Sequence, residues 1–392
     1  MSGVPNQPPW ARVGRWIPQH RTLLFTSVVL IARLAYLRWL CPYQLAADEA
    51  QYWDWSRRLQ ASYFTKGPGV AWLIGASTAV LGVSEWAVRA PAALATWIAT
   101  MALARLARRW AGDDERVGFA SAVLFTFAPV FWGLAQFMTI DAPYIACWLL
   151  ACLLTWEALH SSSSRKLWLC AMLGAVLALG FLFKYTMLLL LPGIVALWLS
   201  ERAPNGRRHA PLGLLVAALI FLVGICPVLA WNHRYGWPTV AHLWGHVYRG
   251  GHELVPPRSP GYNPLWTLAY VFSPLVCLGP PLTFLVALAL RPTRPPLRLC
   301  PAASGYLRFV LWLSLPVLGF YLLVSFKTDV ELNWNAAGLA VLILPAAHRT
   351  TAALASSVAR RLWRWAIVYG AVCGLALAFG RAPLEALRSV RV

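Results

Sequence analysis

The chain has 392 residues, of which 59% are hydrophobic and 12% are charged, and its formal net charge is +20. A soluble domain carries roughly a quarter charged residues, so this composition excludes an ordinary soluble protein and indicates one that spans a membrane. Because cytoplasmic loops of membrane proteins collect Lys and Arg, the basic excess is explained by topology, and nucleic acid is not an expected partner.

Apolar runs predict an all-α fold with about eleven membrane-spanning helices, since one crossing needs about 20 apolar residues. The run 69–83 is too short to cross and is predicted to be a re-entrant or interfacial helix. We expect one transmembrane domain over 22–380, between a cytoplasmic N-terminus (1–21) and a short tail (381–392). The predicted spans are 22–41, 90–107, 118–137, 142–159, 167–183, 185–200, 211–230, 266–290, 309–326, 335–347 and 362–379.

The basic residues indicate how these spans are oriented. With the N-terminus inside, most arginines fall in cytoplasmic loops, as the positive-inside rule requires. These inside loops are 108–117, 160–166, 201–210, 291–308 and 348–361. Only the tail, with Arg381, Arg388 and Arg391, disagrees with this count. The outer face then carries a long first loop (42–89) and a second loop (231–265) rich in Trp, His, Gly and Pro.

Lysines are rare in this chain and concentrate at the predicted outer face. Only four of the 34 basic residues are lysines, and Lys66, Lys184 and Lys327 all fall there. The compact lysine ammonium is a common phosphate ligand. Ordinary snorkelling of a lysine at a helix end is the structural alternative for each of them.

Two acids of the outer face are candidates for chemistry. Asp141 borders an apolar span, where a carboxylate is costly and usually has a functional or paired role. An N-terminal helix cap before Pro143 is the structural alternative. Asp48 begins the Asp48-Glu49 pair of the first outer loop, and its alternative is a solvated loop acid.

The outer loops are also rich in aromatic residues and histidines. Trp53, Trp55, Trp231 and Trp237 fit an interfacial aromatic belt, and they also fit stacking against a sugar ring. Histidines of the second outer loop match no compact metal-binding spacing. The sequence therefore requires no metal and no other cofactor, and it leaves a divalent cation open.

Several motifs of these loops occur in the order found in a known family. The first loop contains Asp48-Glu49-Ala50-Gln51-Tyr52-Trp53, then 63–68 and 84–91, and it is followed by 139–143, Phe183-Lys184-Tyr185, Trp231-Asn232 and Asn333-Trp334. Together they resemble the GT-C glycosyltransferases, in the branch of the protein O-mannosyltransferases and the lipid A aminoarabinose transferase. The chain departs from the family pattern at Gly67, in the place of a proline, and at the inserted Ile140.

The resemblance implies a GT-C fold whose first outer loop contains interfacial helices. It implies an enzyme that moves a monosaccharide from a polyprenyl-phosphate donor to an acceptor, with inversion of configuration. The acceptor is left open among glycolipid, polysaccharide and protein, and membrane lipid is a further partner. The implied location is a bacterial inner membrane, with a site that faces the periplasm or the exterior.

The resemblance also implies roles for individual residues. Such a reaction needs a carboxylate to take the acceptor's proton and fixed positive charge at the leaving phosphate. By resemblance Asp48 is the base, and the predicted catalytic residues are Asp48, Glu49 and Asp141. The predicted phosphate ligands are Lys66, Lys184, Lys327 and Arg58, and the predicted substrate-binding residues are Tyr52, Trp53, Tyr63, Trp231, Asn232, Asn333 and Trp334.

A multi-pass transporter or lipid flippase is the alternative function. Transporters place ionisable residues near the bilayer midplane and often contain inverted repeats. Here the acids lie at one face and the sequence contains no evident repeat, which favours chemistry at the membrane surface. A polyprenyl-linked ligase or polymerase shares the same substrate class and is also left open.

Overall fold

A computed structural model of the protein describes residues 9–161, 163–201, 209–248, 262–291, 303–351 and 356–380. Within these ranges the chain is all-α, as predicted, and contains no strand. The helices are α1 (Pro9–Trp39), α2 (Ala47–Ser56), α3 (Gly69–Leu81), α4 (Glu85–Trp110), α5 (Glu115–Phe127), α6 (Pro129–Leu134), α7 (Asp141–Leu159), α8 (Ser163–Phe183), a 3-10 helix (Tyr185–Leu190), α9 (Leu191–Ser200), α10 (Leu212–Arg234), α11 (Pro238–Tyr248), α12 (Pro264–Cys277), α13 (Pro280–Leu290), α14 (Ala303–Val324), α15 (Ala336–Val341), α16 (Ile343–Thr351) and α17 (Ser357–Phe379).

The protein is an integral, multi-pass membrane protein. In the described part of the chain, seven helices are long and apolar enough to cross a membrane, namely α1, α4, α7, α8, α10, α14 and α17. An eighth crossing is available if the bent pair of α12 and α13 counts as one span. The predicted spans 118–137, 185–200, 266–290 and 335–347 are therefore not single continuous helices.

Proline and glycine account for two of these interruptions. Ala128 is extended between α5 and α6, because a residue that precedes proline is disfavoured in the helical region. Between α12 and α13 the chain turns through 101°, at Gly279 with φ of +78° and Pro280 at the first helical position. Hydropathy alone does not detect either break, since the residues on both sides are apolar.

Three of the predicted apolar segments form short helices. Helix α3 has 13 residues, so the run 69–83 is too short to cross a membrane alone, as predicted. The predicted span 185–200 begins instead as the 3-10 helix and continues as α9. The predicted span 335–347 is divided between α15 and α16, and residues 336–347 are buried.

Helix α7 lies at the centre of the bundle and packs against α4 and α8. All of its residues are buried except Leu150 and Glu157. Helices α1, α10 and α17 are peripheral, and they carry exposed apolar side chains of the kind that face lipid. Residues 1–8, 249–261 with His252, and the tail 381–392 lie outside the described residues.

Candidate active site

The predicted site residues come from helix ends that meet at one end of the bundle, here called the site end. Helices α1 and α8 end there, α4 and α7 begin there, and α2 and the segment 325–335 complete it. Because antiparallel neighbours bring the end of one helix beside the start of the next, residues distant in sequence become adjacent at this end.

Asp141 is the centre of a buried polar cluster. Its Oδ1 accepts a hydrogen bond from Lys184 Nζ at 2.7 Å, and its Oδ2 accepts one from Asn333 Nδ2 at 2.7 Å. The side chains of Lys184 and Asp141 are only 11% and 3% exposed. Charge-assisted bonds of this kind are short and strong, so they fix the carboxylate in one orientation. The structure therefore brings these three predicted residues together.

Lys66 is a site cation that forms no ion pair with the described residues. It lies half-buried between α2 and α3, and its ammonium has no hydrogen bond or ion pair among the described residues. Burial lowers the pKa of Lys66, and the neighbouring charge of Lys184 lowers it further, while Asp141, Asp48 and Glu331 oppose the shift. These four charges therefore surround Lys66 closely enough to act on it.

Asp48 is the exposed carboxylate of the site. It lies in the first turn of α2, where the helix dipole favours an acid, and its side chain forms no hydrogen bond within the described ranges. The pKa of the buried Tyr52 is raised by burial and then by the charges of Asp48, Asp141 and Glu331. Tyr52 thus lies among the three carboxylates, and Asp48 keeps its oxygens available.

Glu49 differs from its neighbour Asp48 in burial and in hydrogen bonding. It is fully buried and paired with Arg89, whose Nη2 lies 2.7 Å from Oε2 and whose Nε lies 2.9 Å from Oε1. The backbone N–H groups of Ala46 and Met138 donate to the same carboxylate, at 2.9 and 2.8 Å. A carboxylate offers about four acceptor sites, and these donors occupy them. This geometry favours a positioning role for Glu49 over the predicted catalytic role.

Arg89 and Glu331 are the two site residues that the sequence analysis did not select. Arg89 also donates to the carbonyls of Tyr43 and Gln44, at 2.7 Å each, so it fixes the segment that leads into α2. Its signal was the Glu-x-x-x-Arg-x-Pro motif within 84–91. Glu331 lies two residues before Asn333 in the segment 325–335, and no sequence motif selects it; its proximity to Lys66 and Tyr52 does.

The polar groups of two predicted substrate-binding residues form hydrogen bonds within the protein. Tyr63 donates through its hydroxyl toward the Trp55 carbonyl at 3.0 Å, and its ring stacks on Trp55 with centroids 4.4 Å apart. Asn232 donates to the Val228 carbonyl at 3.1 Å and accepts from the Thr239 N–H at 3.3 Å. Both side chains are buried, so the structure gives them a structural role.

The three predicted tryptophans are half-buried. Trp53 lies under the Arg57 guanidinium, 5.3 Å from the ring centroid. The indole N–H of Trp231 donates to Gln60 Oε1 at 3.0 Å, and Trp334 packs on Tyr321 with centroids 5.4 Å apart. Of the predicted phosphate ligands, Lys327 and Arg58 are both exposed.

A backbone contact explains why the chain departs from the family pattern at Gly67. A Cβ atom at Gly67 would overlap the carbonyl oxygen of Leu182, and one at Gly69 would lie 2.7 Å from the Phe183 ring. The segment after Lys66 therefore packs directly on the last turn of α8, immediately before Lys184. Only glycine permits this approach, since every other residue carries a Cβ.

Metal ligands are sparse at the site end. The described part of the chain contains no group of three or more His, Cys, Asp or Glu side chains that could hold a metal ion. Asp48 and Glu331 are the site carboxylates whose side chains form no hydrogen bond to described residues, so they are the ones available to a divalent cation.

Comparisons with known proteins show a shared fold and a partial match to one family. Residues 65–231 match the family described as dolichyl-phosphate-mannose-protein mannosyltransferase. Over 92% of the chain, the fold matches the crystal structure of apo ArnT from Cupriavidus metallidurans, covering 76% of that chain with a TM-score of 0.67 at 15% identity. The chain therefore has the fold of ArnT. The undecaprenyl-phosphate-bound form of the same ArnT matches with a TM-score of 0.61 at 17% identity, over 93% of the chain and 73% of that structure.

Curated relatives of the chain are sugar transferases by name. The lipid A galacturonosyltransferase RgtD of Rhizobium johnstonii is 28% identical over 293 residues, which cover 73% of the chain and 56% of RgtD. An undecaprenyl phosphate-alpha-4-amino-4-deoxy-L-arabinose arabinosyl transferase of Pseudomonas savastanoi pv. phaseolicola is 30% identical over 165 residues, which cover 41% of the chain and 30% of that protein. The matched regions thus span about half or less of these relatives.

Proposed function

We propose that the protein is a glycosyltransferase that moves a monosaccharide from a polyprenyl-phosphate donor to an acceptor at the site end, with inversion. The supporting observation is the pairing, at one end of a membrane bundle, of an unbonded carboxylate (Asp48) with an unbonded ammonium (Lys66). In the Asp141–Lys184–Asn333 cluster beside them, both carboxylate oxygens of Asp141 already accept hydrogen bonds. The donor class agrees with the names of the relatives and with the lipid bound to ArnT.

Each unbonded group matches one need of the reaction. The oxygen of the acceptor hydroxyl forms a bond to the anomeric carbon, and Asp48 accepts the proton that this hydroxyl loses. The bond from that carbon to the phosphate oxygen breaks at the same time, and the lipid phosphate leaves with the electron pair. Lys66 stabilises the charge that grows on this phosphate. Asp141 holds Lys184 and Asn333 in place around it, so it acts as a positioning residue.

The acceptor and the location are part of the same proposal. RgtD acts on lipid A by name, which favours a glycolipid acceptor over a polysaccharide or a protein. The distribution of arginines supports a site end on the periplasmic face of a bacterial inner membrane. A transporter or flippase is less favoured, because the ionisable cluster lies at one end of the bundle and the named relatives are transferases.

The direct test is release of polyprenyl phosphate by the purified full-length protein. In detergent or lipid nanodiscs with an undecaprenyl-phosphate-linked sugar and lipid A, we expect release of the lipid phosphate and a mass increase of lipid A by one sugar. The two products are measured by mass spectrometry. The proposal would be contradicted if folded, monodisperse protein transferred sugar neither from an aminoarabinose donor nor from a galacturonic acid donor.

Lys66→Met is expected to lower the transfer rate by about 10²–10³-fold, since removal of one preorganised charge-stabilising donor costs that much. Lys66→Arg is expected to keep activity and to change its pH dependence. Because the pKa of Lys66 is lowered, the wild-type ammonium loses its proton, and its hold on phosphate, at a lower pH than an exposed lysine would. An arginine stays charged, so the variant should retain donor binding into more alkaline solution.

Donor binding at increasing pH, measured by fluorescence with a labelled polyprenyl phosphate, checks this expectation. Lys166→Met is the matched control, because Lys166 bonds to His209 in another part of the bundle. Identical pH profiles for the wild type and Lys66→Arg would remove Lys66 as the phosphate ligand.

Gly67→Ala is expected to reduce transfer by about 10²-fold, which is the cost of displacing a reacting group by about 1 Å. The added methyl group would push the segment that carries Lys66 away from the Leu182 carbonyl. Gly75→Ala in α3 is the control, because its Cβ would meet Ser56 at an ordinary 3.4 Å. Steady-state kinetics of both variants, with thermal stability measured in parallel, separates displacement of Lys66 from general unfolding. Equal activity of the two variants would contradict the proposed role of Gly67 in positioning Lys66.

A further inference from the structure

One arginine lies inside a membrane span and has no anionic partner there. Arg33 belongs to the span of α1 from His20 to Trp39, six residues before the helix ends at the site end. At 1.5 Å per residue, its Cα atom lies about 9 Å below that end. A guanidinium stays protonated in proteins, and a charge within a membrane span is costly unless it is paired or functional. The charge of Arg33 therefore calls for a partner.

The Arg33 guanidinium is held in place by an aromatic ring. It lies over the ring of Trp132 in α6, 5.6 Å from the ring centroid. Gly374 of α17 packs directly against the other side of this contact, since a Cβ atom there would overlap the Trp132 ring. The Nη2 atom of Arg33 is buried and has no hydrogen-bond partner among the described residues. The contact with Trp132 thus orients the guanidinium, and its hydrogen-bond donors remain unused.

The protein around Arg33 offers neither an acid nor a free carbonyl group. Helices α1, α6 and α17 contain no Asp or Glu at any position, and Arg33 forms no ion pair with a described carboxylate. The carbonyl groups at the end of α17 are the other acceptors within these helices. The Tyr36 hydroxyl donates to the Ala378 carbonyl at 2.6 Å, and the Tyr43 hydroxyl donates to that of Leu377 at 3.0 Å. An acceptor for Arg33 must therefore come from outside these helices.

We propose that Arg33 binds the phosphate of a phospholipid in the leaflet at the site end. A long arginine side chain about 9 Å below the helix end can place its charge at the level of the lipid headgroups. Its planar fork suits a phosphate, to which it donates two parallel hydrogen bonds. The two contacts are compatible, because the Trp132 ring covers the face of the guanidinium and a phosphate approaches its N–H edge. The proposal is independent of the transferase activity, since the lipid is a bound component and not a substrate.

Native mass spectrometry of the full-length protein in mild detergent tests this proposal. The probes are phosphatidylglycerol and a diacylglycerol with the same acyl chains, which lacks the phosphate. We expect phosphatidylglycerol to bind about tenfold more tightly at its strongest site, and Arg33→Gln to lose that preference, since a hydrogen bond to a charged group is removed. The matched control is Arg38→Gln, which removes an exposed arginine of the same helix that lies over the Trp86 ring at 5.3 Å, and it should keep the preference.

Three outcomes would overturn the proposal. If the wild type binds the two lipids equally, a comparison that needs no variant, Arg33 binds no lipid phosphate. If Arg33→Gln and Arg38→Gln weaken phosphatidylglycerol equally, the attraction is general surface charge. If inorganic phosphate displaces phosphatidylglycerol at equal concentration, the ligand is the free anion and not a lipid. Arg33→Lys keeps the charge without the planar fork, and it should retain part of the preference where the glutamine variant is poorly folded.

Discussion

Asp48→Asn is expected to abolish sugar transfer, with a loss of about 10²–10⁴-fold, while the protein stays folded. Asparagine keeps the size of the side chain and removes its ability to accept a proton. Because Asp48 is exposed and its side chain has no hydrogen bond to described residues, the substitution leaves no buried partner unsatisfied. The effect should therefore appear in the turnover number and not in the stability or in donor binding.

Three measurements check this prediction. Release of polyprenyl phosphate gives the rate, a labelled polyprenyl phosphate gives the affinity, and thermal unfolding in detergent gives the stability. Asp54→Asn is the matched control, since Asp54 is an exposed acid of the same helix α2. Near-normal turnover in the Asp48 variant would show that another group takes the acceptor's proton.

Glu49→Gln is expected to have the opposite signature, a large loss of stability of about 3–5 kcal/mol, which is typical when one partner of a buried ion pair is removed. The side chains of Glu49 and Arg89 are each only 1% exposed, so Arg89 would be left charged in a buried site. The glutamine NH2 group would also replace one of the two acceptor oxygens, so either the Ala46 or the Met138 N–H group would lose its acceptor.

The loss of stability is measured as a lower midpoint of unfolding by heat or by SDS titration. Asp113→Asn provides the control, because Asp113 is 55% exposed in its pairs with Arg108 and Arg109, and surface pairs contribute only about 0–1 kcal/mol. Asparagine also tolerates the left-handed backbone of Asp113, with φ of 66°. An Asp113 variant that is destabilised as much as the Glu49 variant would contradict the assigned role of Glu49.

The Glu49–Arg89 pair also connects the two acids of the site. Glu49 is adjacent to Asp48 in α2, and it accepts a hydrogen bond from Met138, three residues before Asp141. One buried carboxylate therefore fixes both acids relative to each other. For this reason we expect Glu49→Gln to lose activity through displacement of Asp48, even in the fraction of protein that remains folded.

The sequence by itself determined the membrane class, the all-α fold and most of the site. Transfer of a residue into lipid has a cost that depends mainly on that residue, so apolar runs identify α4, α7, α8 and α10 without knowledge of their neighbours. The same cost identifies Asp141 and Lys184 as candidate site residues, because a charge at the end of an apolar span is unfavourable unless it is paired or functional.

The tertiary structure decided what each polar residue does. Asp48 and Glu49 are adjacent in sequence and both carry a carboxyl group, and only the position of Arg89, 40 residues after Glu49, makes Glu49 structural and leaves Asp48 available. Asn333 reaches Asp141 across 192 residues, and Gly67 meets Leu182 through space. These pairings depend on how the helices pack, and hydropathy contains no information about packing, which is also why the turn at Gly279 and the break at Ala128 were not predicted.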